Sequence, residues 1–410
     1  MAHNAQPKID RIDSMYRIKT YNTISPKGLD RFERGAYEVG QDIAHPEALL
    51  LRSHKLQEEE ILDSVTAIAR AGAGVNNIPI AACSERGIPV FNTPGANANA
   101  VKELVAAAML LASRDIVGGI AFAQSQDPDM SAQDMHALME AEKKRFAGAE
   151  LAGKTLGVVG LGSIGSLVAR LGLDFGMEVV GYDPALSVDA AWRLPSEVRR
   201  MENVQSLFSR SDFVSLHLPV LDSTRGLVNA EMLTHFRKGS CLLNFAREEI
   251  VSTEAIVEAL NEGRLRRYVA DFPSPLLLGR ADTLLMPHIG ASTTEAEENC
   301  AIMAANQLKA FLEHGNIRNS VNFPAIELER TTDLRMTITN RNEPGMLSHI
   351  LTLIGDQGLN VADLLNKSVK DIAYNIIDLD EVPREELLSQ ISTLEGVINL
   401  RLIEGSPGEV

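Results

Sequence analysis

The segment GVVGLGSIG constrains the fold of this chain more than any other, because it places Gly160, Gly162 and Gly165 in the spacing G-x-G-x-x-G. The run KTLGVVGL predicts a strand before the glycines, and SLVARLGLDFG predicts a helix after them. Such glycines permit a tight turn and bring the backbone close to a pyrophosphate, whose charge is stabilised by the helix N-terminus. A βα turn without a ligand is the alternative. We interpret the segment as a dinucleotide-binding loop with contacts from Gly160, Gly162, Ser163, Ile164 and Gly165.

The next strand-like run, MEVVGYD, ends in Asp183, 18 residues after Gly165. A carboxylate at this position hydrogen-bonds the 2′-hydroxyl of the adenosine ribose and repels a 2′-phosphate. The sequence therefore predicts NAD rather than NADP as the cofactor.

Strand-like and helix-like segments alternate over most of the chain. RIKTYN, ALLLRS, AIARAG and PVFNT are strand-like before the glycines, and DFVSLHL, CLLNFA, YVADF and TLLMP are strand-like after them. This alternation predicts an α/β protein with parallel sheets. Residues 119–148 favour helix, with an interruption at Asp127-Pro128. After Arg330 the predicted order is β-α-β-β-α-β, which is ferredoxin-like.

The 410 residues exceed one ordinary core, so we expect two or three domains. Because the glycines begin near residue 160, the Rossmann domain is inserted into a discontinuous domain or follows a complete one. The long helix pattern after Ser292 would return the chain to the first domain. The predicted boundaries are a flexible tail (1–14), a discontinuous first domain (15–112 and 292–325), an inserted Rossmann domain (113–291) and a C-terminal domain (331–410).

The composition argues against several classes of protein. A net charge of −16 disfavours nucleic acid or an anionic membrane as a partner. No apolar run reaches the ~18 residues of a membrane span, and the N-terminal MAHNAQPKIDRID lacks the apolar core of a signal peptide. Cys83, Cys241 and Cys300 are far apart and show no metal-ligand spacing, which suits a reducing compartment. We expect a cytoplasmic protein without a metal site.

Further segments are similar to those of a known family: ARAGAGVNN, FNTPGANANAVKEL, SLHLP, LNFAREEIV and MPHIGAST. From about Met15 to Leu402 the chain resembles the NAD-dependent D-2-hydroxyacid dehydrogenases, and its C-terminal domain resembles ACT domains. The resemblance implies oxidation of 3-phosphoglycerate to 3-phosphohydroxypyruvate, the first step of L-serine biosynthesis. It also implies that the first domain binds substrate and that the protein is a homodimer or homotetramer.

Hydride transfer from a C2 hydroxyl requires a base for the hydroxyl proton and a cation for the substrate carboxylate. His288 suits the first role, because imidazole titrates near neutral pH and the residue follows the strand TLLMP, at a carboxyl end of the sheet. Arg247 suits the second role through its bidentate guanidinium. A histidine that caps the core and an exposed loop arginine are the alternatives.

The chain departs from the family's motif directly after the arginine. The family continues Arg-Gly-Gly, whereas Arg247 is followed here by Glu248 and Glu249. Two acids would weaken the positive field of the arginine, and the loss of glycine restricts the loop.

A second departure concerns the partner of His288. The family pairs its histidine with a glutamate that would fall near Pro275 or Leu276, and neither is acidic. Without this carboxylate the imidazole should be harder to protonate. Asp271 and Asp282 are the nearest acids, and Asp271 is the candidate replacement, with a structural role as the alternative.

By resemblance, the remaining site residues form three groups. Further cofactor contacts are expected from His217, Ala246, Asp271 and Gly290, with a structural role as the alternative for His217. Substrate contacts are expected from Arg52, Ser53 and Arg70 and from the backbone of Gly72, Ala73, Gly74 and Val75; ordinary surface arginines are the alternative. An L-serine site is expected at Asn342, Gly345 and Asn360, with a purely dimerising domain as the alternative.

Two other functions stay open. A reductase of another 2-oxo acid, such as hydroxypyruvate or glyoxylate, would tolerate the loss of Arg52 and Arg70. An NAD-sensing binding protein without turnover is favoured by the missing glutamate and opposed by the retained Arg247 and His288.

Overall fold

The computed structural model describes residues 8–10, 15–186, 188–192 and 194–405. The chain divides into two compact units, Met1–Asn97 with Thr294–Val410, and Ala98–Thr293. The strands are β1 (Lys8–Asp10), β2 (Tyr16–Thr20), β3 (Tyr37–Gly40), β4 (Ala48–Leu51), β5 (Ala67–Arg70), β6 (Val90–Phe91), β7 (Thr155–Val159), β8 (Glu178–Tyr182), β9 (Arg199–Arg200), β10 (Phe213–Leu216), β11 (Ser240–Asn244), β12 (Leu265–Ala270), β13 (Thr283–Leu285), β14 (Leu334–Arg341), β15 (Val361–Val369), β16 (Ile372–Leu379) and β17 (Val397–Glu404). The α-helices are α1 (Pro26–Leu29), α2 (Ile80–Glu85), α3 (Ala98–Ser113), α4 (Ile116–Gln124), α5 (Ala132–Glu142), α6 (Ser163–Asp174), α7 (Val188–Trp192), α8 (Val204–Arg210), α9 (Ala230–Leu233), α10 (Thr253–Asn261), α11 (Thr294–His314), α12 (Met346–Asp356) and α13 (Glu385–Ser392). Short 3-10 helices cover Glu58–Glu60, Lys143–Phe146, Glu248–Ile250 and Pro275–Leu277.

The first unit contains a parallel sheet with the strand order β3-β2-β4-β5-β6. Its central strands are short apolar runs whose residues are fully buried, such as Leu49, Leu50 and Ile68, as is typical of a parallel sheet covered on both faces. Helix α11 packs on it through Ala304 and Leu308. The loops that follow β2, β4 and β5 therefore leave the sheet at one carboxyl edge.

The second unit is built on a parallel sheet with the strand order β13-β12-β11-β10-β7-β8-β9. The order reverses beside β7, the strand that precedes the glycine-rich loop, and ligands bind at such switch points. Because all of its strands are parallel, the loops that follow β7, β8, β10, β11, β12 and β13 lie at the same edge.

The C-terminal segments β14, α12, β15, β16, α13 and β17 form an antiparallel sheet in the order β17-β14-β16-β15, the ferredoxin-like arrangement. Helices α12 and α13 cover one face, in a core that includes Ile350 and Ile377. On the other face, Tyr374 and Ile376 share a core with Phe311 of α11. Both faces of this sheet are therefore buried within the first unit.

The predicted fold class and the predicted strands are confirmed, but the predicted boundaries need correction. The tail predicted at 1–14 contains β1, which pairs with β17 in parallel; the other residues of that range lie outside the described residues. The first domain was predicted to extend to residue 112, yet α3 belongs to the second unit, because it packs against α6, β11 and β12. Arg266 and Arg267 of β12 donate to the carbonyl oxygens of Ala112 and Leu111 at the end of α3. The C-terminal domain, predicted as separate, shares a core with the first domain.

The predicted helical segment at 119–148 is observed with its interruption, since α4 ends at Gln124 and α5 begins at Ala132. Neither helix has a buried residue. Among the described residues, no single helix has the length and apolar character to cross a membrane, whereas the bent pair α3 and α4 meets both criteria when taken together.

Candidate active site

The glycine-rich loop connects β7 to α6 as predicted. Gly160 has a φ of 87°, and a Cβ there would lie 2.5 Å from the carbonyl oxygen of His217. A Cβ on Gly165 would lie 1.8 Å from the carbonyl oxygen of Gly160, so the turn requires glycine at both positions. Gly162 is the exposed N-cap of α6, and no atom of the described residues lies within 4 Å of a Cβ built there. No described side chain caps this helix, so the N–H groups of its first turn are available to a pyrophosphate.

Asp183 follows β8 and is tied to the same loop. One carboxylate oxygen accepts the N–H of Leu161 at 2.8 Å, and the other accepts that of Ala185 at 2.9 Å. A cavity of about 610 Å³ lies beside it, lined by residues that include Leu186 and Trp192, and this volume is that of a small-molecule pocket. The carboxylate keeps lone pairs for ribose hydroxyls, so loop and cavity together fit the adenosine half of NAD.

His217 follows β10 and is held by a hydrogen bond of 2.8 Å between its Nε2 and Ser215 Oγ. Burial lowers the pKa of His217 to about 3, so the ring is neutral at physiological pH. Its Nδ1 is buried and has no hydrogen-bond partner among the described residues. Buried polar atoms are normally paired, so this atom fits a place where a bound cofactor supplies the partner.

Arg247 is half-buried directly after β11, and its Nη1 donates to the carbonyl oxygen of Ala246 at 2.7 Å. Asn244, fully buried at the end of the strand, shapes this loop: Nδ2 donates to the Arg247 carbonyl oxygen at 2.9 Å, and Oδ1 accepts the Ala246 N–H at 3.2 Å. Glu248 and Glu249 are exposed and neither has a positive φ. The loop therefore adopts its form without the two glycines that the family motif has there.

His288 lies on the loop after β13, and its φ of 56° is a left-handed conformation that few non-glycine residues adopt. The residue is exposed, and its ring centroid lies 4.9 Å from that of Phe272. In the described part of the chain, no carboxylate makes a hydrogen bond or an ion pair with the imidazole. The histidine is thus accessible to a substrate and packs against an aromatic ring.

Both acids nearest to His288 in sequence are engaged elsewhere. Asp271 is 3% exposed, and its two oxygens accept the N–H groups of Ile289 at 2.8 Å and Gly290 at 2.7 Å. Asp282 forms a bidentate ion pair with Arg280, at 2.9 and 2.8 Å. The candidate pairing of Asp271 with the imidazole is therefore wrong. Asp271 instead holds the backbone of the loop that carries the histidine, which is the structural alternative.

The first unit carries the expected cationic residues at the carboxyl edge of its sheet. Arg52 follows β4, and its Nη2 lies 2.6 Å from Oε1 of Glu297 on α11. The two side chains are 39% and 42% exposed, so an anionic ligand could replace the carboxylate. Arg70 serves a different role, because its Nε and Nη1 donate to the carbonyl oxygens of Arg52 at 2.9 Å and Gly74 at 2.5 Å. These bonds make Arg70 a support for both loops rather than an ordinary surface residue.

The loop after β5 offers backbone donors for an anion. The Gly72 N–H donates to the carbonyl oxygen of Arg70 at 2.8 Å, whereas the N–H groups of Ala73, Gly74 and Val75 have no acceptor among the described residues. These residues are half-exposed. Consecutive unpaired N–H groups are the donors that anion-binding loops use, and the carboxylate site stays a prediction.

Two asparagines that sequence reasoning missed shape the loop of Arg52. Asn22 has a φ of 62°, and its Oδ1 accepts the N–H groups of Ser53 at 3.1 Å and His54 at 2.6 Å. Asn77 Nδ2 donates to the carbonyl oxygens of Arg52 at 3.2 Å and His54 at 2.7 Å. Neither asparagine belongs to a recognisable motif, so only the folded chain shows this role.

The residues predicted to bind L-serine lie at the start and end of α12. Gly345 has a φ of 88° and is the N-cap of this helix. The Asn342 amide donates to the carbonyl oxygen of Lys370 at 3.1 Å, and that of Asn360 donates to Asp380 Oδ2 at 2.5 Å. The side chains of Asn342 and Asn360 therefore bond to different groups, and within the described residues they make no hydrogen bond with each other.

The glycine loop yields a paired prediction. Gly165→Ala should destabilise the second unit by about 1–3 kcal/mol, because its Cβ meets a backbone oxygen. Gly162→Ala should fold normally yet weaken NADH binding about tenfold or more, since its methyl group enters the space where the pyrophosphate approaches. Thermal unfolding and NADH fluorescence titration measure the two effects. Normal stability of Gly165→Ala, or unchanged NADH affinity of Gly162→Ala, would contradict the respective roles.

The second unit combines a glycine-rich loop, an acid at the end of the next strand, and a histidine and an arginine at the carboxyl edge of one sheet, which defines an NAD-dependent dehydrogenase. Comparison with known proteins agrees. Residues 107–290 match the family described as D-isomer specific 2-hydroxyacid dehydrogenase, NAD binding domain.

Relatives and solved structures extend this match over most of the chain. The D-3-phosphoglycerate dehydrogenase of Haemophilus influenzae is 30% identical over 86% of this chain and 85% of its own length. That of Methanocaldococcus jannaschii is 32% identical over 80% of this chain but only 61% of its own length. The NAD⁺-bound 3-phosphoglycerate dehydrogenase of Entamoeba histolytica is 25% identical, with a TM-score of 0.59 over 76% of this chain and 100% of that one.

The chain belongs to the NAD-dependent D-2-hydroxyacid dehydrogenase family. Within that family, the relatives that it resembles over most of its length are D-3-phosphoglycerate dehydrogenases.

Proposed function

We propose that this protein oxidises 3-phosphoglycerate to 3-phosphohydroxypyruvate with NAD, the first step of L-serine biosynthesis. The observation that carries the proposal is the carboxyl edge of the first sheet. It presents Arg52 on a loop held by Asn22 and Asn77, together with the N–H groups of Ala73, Gly74 and Val75, which have no acceptor in the part of the chain that the structure describes. Two anion sites of this kind match a substrate that carries a phosphate and a carboxylate.

The residues of the second unit match the chemistry of a C2 hydroxyl. His288 is exposed and has no carboxylate partner among the described residues; it takes the hydroxyl proton in the oxidation and returns it in the reduction. Arg247 neutralises the substrate carboxylate and stabilises the developing carbonyl through the guanidinium N–H groups that Ala246 does not occupy. NAD, when bound, accepts the hydride. Asp271 keeps the histidine loop in place through the N–H groups of Ile289 and Gly290.

NADH oxidation by the purified protein tests the proposal, with 3-phosphohydroxypyruvate, hydroxypyruvate and glyoxylate compared as substrates. We expect turnover with the phosphorylated substrate and a much lower kcat/KM with the other two. Arg52→Gln should raise KM for 3-phosphohydroxypyruvate about tenfold or more, because a charge-assisted bond to phosphate is lost. Arg31→Gln, at another exposed arginine of the first unit, is the matched control. Preference for an unphosphorylated acid that is unaffected by Arg52→Gln would establish the other reductase function instead.

One observation favours a second candidate, an NAD-sensing binding protein without turnover: neither Asp271 nor Asp282 faces the imidazole. The same assay separates the two candidates. Normal NADH binding without turnover of any of the three substrates would establish the binding protein.

Restoring the family's glutamate is a further prediction. Leu276 is 57% exposed in the 3-10 helix Pro275–Leu277, and by resemblance the acid of the family falls near Pro275 or Leu276. Leu276→Glu should move the pH profile of kcat to higher pH, because a carboxylate beside the imidazole favours its charged form. Leu278→Glu, at a leucine that is 63% exposed, is the control. Identical pH profiles of wild type and Leu276→Glu would show that position 276 does not reach the ring.

We also propose a cytoplasmic homo-oligomer, a homodimer or homotetramer, that binds L-serine at the C-terminal sheet. Helix α12 has a left-handed glycine, Gly345, as its N-cap and no capping side chain among the described residues; together with the neighbouring Asn342 this supports the ligand site. Asn340, which stands where the family places a histidine, is 3% exposed and accepts a hydrogen bond from Asn375, so it is not available to the ligand. Calorimetric titration with L-serine and light scattering test these proposals.

A further inference from the structure

A histidine–carboxylate pair exists in this protein, but it lies in the first unit. His54 follows Arg52 on the loop after β4, and its Nε2 lies 3.0 and 3.1 Å from the two oxygens of Glu60. One face of the imidazole stacks on Tyr21, with ring centroids 4.4 Å apart and an angle of 12° between the planes. The ring is therefore fixed on one side by an aromatic face and at one nitrogen by an acid.

The backbone that carries His54 is also fixed. Asn22 accepts the His54 N–H at 2.6 Å, and Asn77 donates to the His54 carbonyl oxygen at 2.7 Å. Residues 52–54 are thus held from both sides of the peptide chain. This support places Arg52 and His54 together at the carboxyl edge of the first sheet.

Cationic and acidic side chains both lie near His54. Lys19 of β2 lies 5.2 Å from the centroid of Tyr21, and Arg52 and the exposed Lys55 flank His54 in the chain. Among the described residues, Glu60 is the acid that contacts the ring, and Glu297 of α11 pairs with Arg52, so a phosphate would have to displace Glu297. Burial opposes the charge of Glu60, but the N–H of Gln57 and the ring of His54 outweigh burial and lower the pKa of Glu60.

The protonation state of the imidazole determines whether Nδ1 donates or accepts a hydrogen bond. In the neutral ring, a proton on Nε2 bonds to Glu60 and leaves Nδ1 as an acceptor, which repels an anion. In the protonated ring both nitrogens donate, and Nδ1 has no partner among the described residues. An anion can therefore bind at Nδ1 only when His54 is protonated.

We propose that protonated His54 binds the phosphate of the substrate together with Arg52, and that it makes the protein select phosphorylated substrates more strongly at lower pH. This inference rests on the proposed function, and it identifies a residue that determines specificity. Glu60 is the positioning residue, because it acts on the phosphate through the histidine.

The test is the ratio of KM for 3-phosphohydroxypyruvate to KM for hydroxypyruvate between pH 7 and 9. The ratio cancels effects at His288, which acts on both substrates. In the wild type the ratio should rise about tenfold or more across this range, because only a ring that carries both protons donates from Nδ1. The phosphate cannot cause this rise, because its second pKa is about 6 and it is already dianionic. His54→Gln should give a ratio that is independent of pH and about tenfold higher at pH 7, with kcat nearly unchanged.

Two further variants complete the design. Glu60→Gln should move the rise of the ratio to lower pH, since the neutral amide favours the charged imidazole less. His45→Gln, at an exposed histidine of the same unit, should behave as the wild type. A ratio that is flat with pH in the wild type, or equal losses for both substrates in His54→Gln, would overturn the proposal.

A binding measurement separates this proposal from the proposed function. The NMR titration of the His54 ring is recorded without and with inorganic phosphate. A higher titration midpoint with phosphate supports anion binding at the ring even if 3-phosphohydroxypyruvate is not turned over, a result that would defeat only the proposed function. An unchanged midpoint overturns the proposal whatever the assay shows.

Discussion

We expect His288→Asn to lower kcat roughly 10²–10⁴-fold, the usual contribution of a general acid–base group, while the affinity for NADH stays near that of the wild type. A carboxamide cannot exchange the C2 hydroxyl proton. Asparagine is the appropriate replacement because it tolerates the left-handed backbone that His288 adopts, with a φ of 56°. Steady-state kinetics with 3-phosphohydroxypyruvate and NADH fluorescence titration measure the two quantities.

His288→Ala tests the same role with a less suitable backbone. It should lose as much kcat and also some stability, since alanine is strained at a positive φ. His235→Asn, at an exposed histidine of the same unit, should retain full activity. If His288→Asn kept more than half of the wild-type kcat, the proton would have to be handled by another group.

The second large effect is expected at a buried ion pair in the C-terminal sheet. Arg335 and Asp378 are 0% exposed and form a bidentate pair, at 2.6 Å from Nε and 2.8 Å from Nη2. The remaining N–H groups of Arg335 donate to the carbonyl oxygens of His314, Leu328 and Glu329. Asp378→Asn should lower the free energy of unfolding of the first unit by about 3–5 kcal/mol, because it leaves a buried charge unpaired.

Hydrogen exchange of the peptides that cover β14 and β16 measures this loss locally. Arg335→Met combined with Asp378→Asn should cost less than the sum of the single changes, since neither partner is then left charged. Lys27→Met breaks the more exposed ion pair with Glu298 and should change stability by about 0–1 kcal/mol. A loss below about 1 kcal/mol for Asp378→Asn would show that the pair is dispensable.

Hydrogen bonds to helix α11 explain why the C-terminal sheet and the first domain form one compact unit. Arg335 and Arg401 donate to carbonyl oxygens at the end of α11, and Tyr374 donates to that of Gly315. These bonds satisfy the groups that a helix C-terminus leaves unpaired. The second face of the sheet is therefore joined to the helix that completes the first domain.

The local features of this protein were predictable from its sequence. The strands, the glycine turn, Asp183 after the second strand of the Rossmann domain, and the βαββαβ order all follow from short-range patterns. Glycines at fixed spacing and apolar runs of strand length act within a few residues of one another, so no knowledge of distant contacts is needed. His288 and Arg247 were named as catalytic candidates because they follow such strands and belong to recognisable motifs, and their roles stay predictions.

Only the tertiary structure decided which residues act on which. Asp271 is occupied by the N–H groups of Ile289 and Gly290, which lie 18 and 19 residues further along the chain. Arg266 and Arg267 assign α3 to the second unit across 154 and 156 residues. Hydrogen bonds between residues so far apart in the sequence depend on which strands and loops become neighbours in the fold. Residue spacing alone does not predict those neighbours. Comparison with the family's motif was enough to show that the usual glutamate partner of His288 is missing. The pair of His54 and Glu60 became visible only in the folded chain, because it depends on how the loop after β4 and the 3-10 helix Glu58–Glu60 are placed.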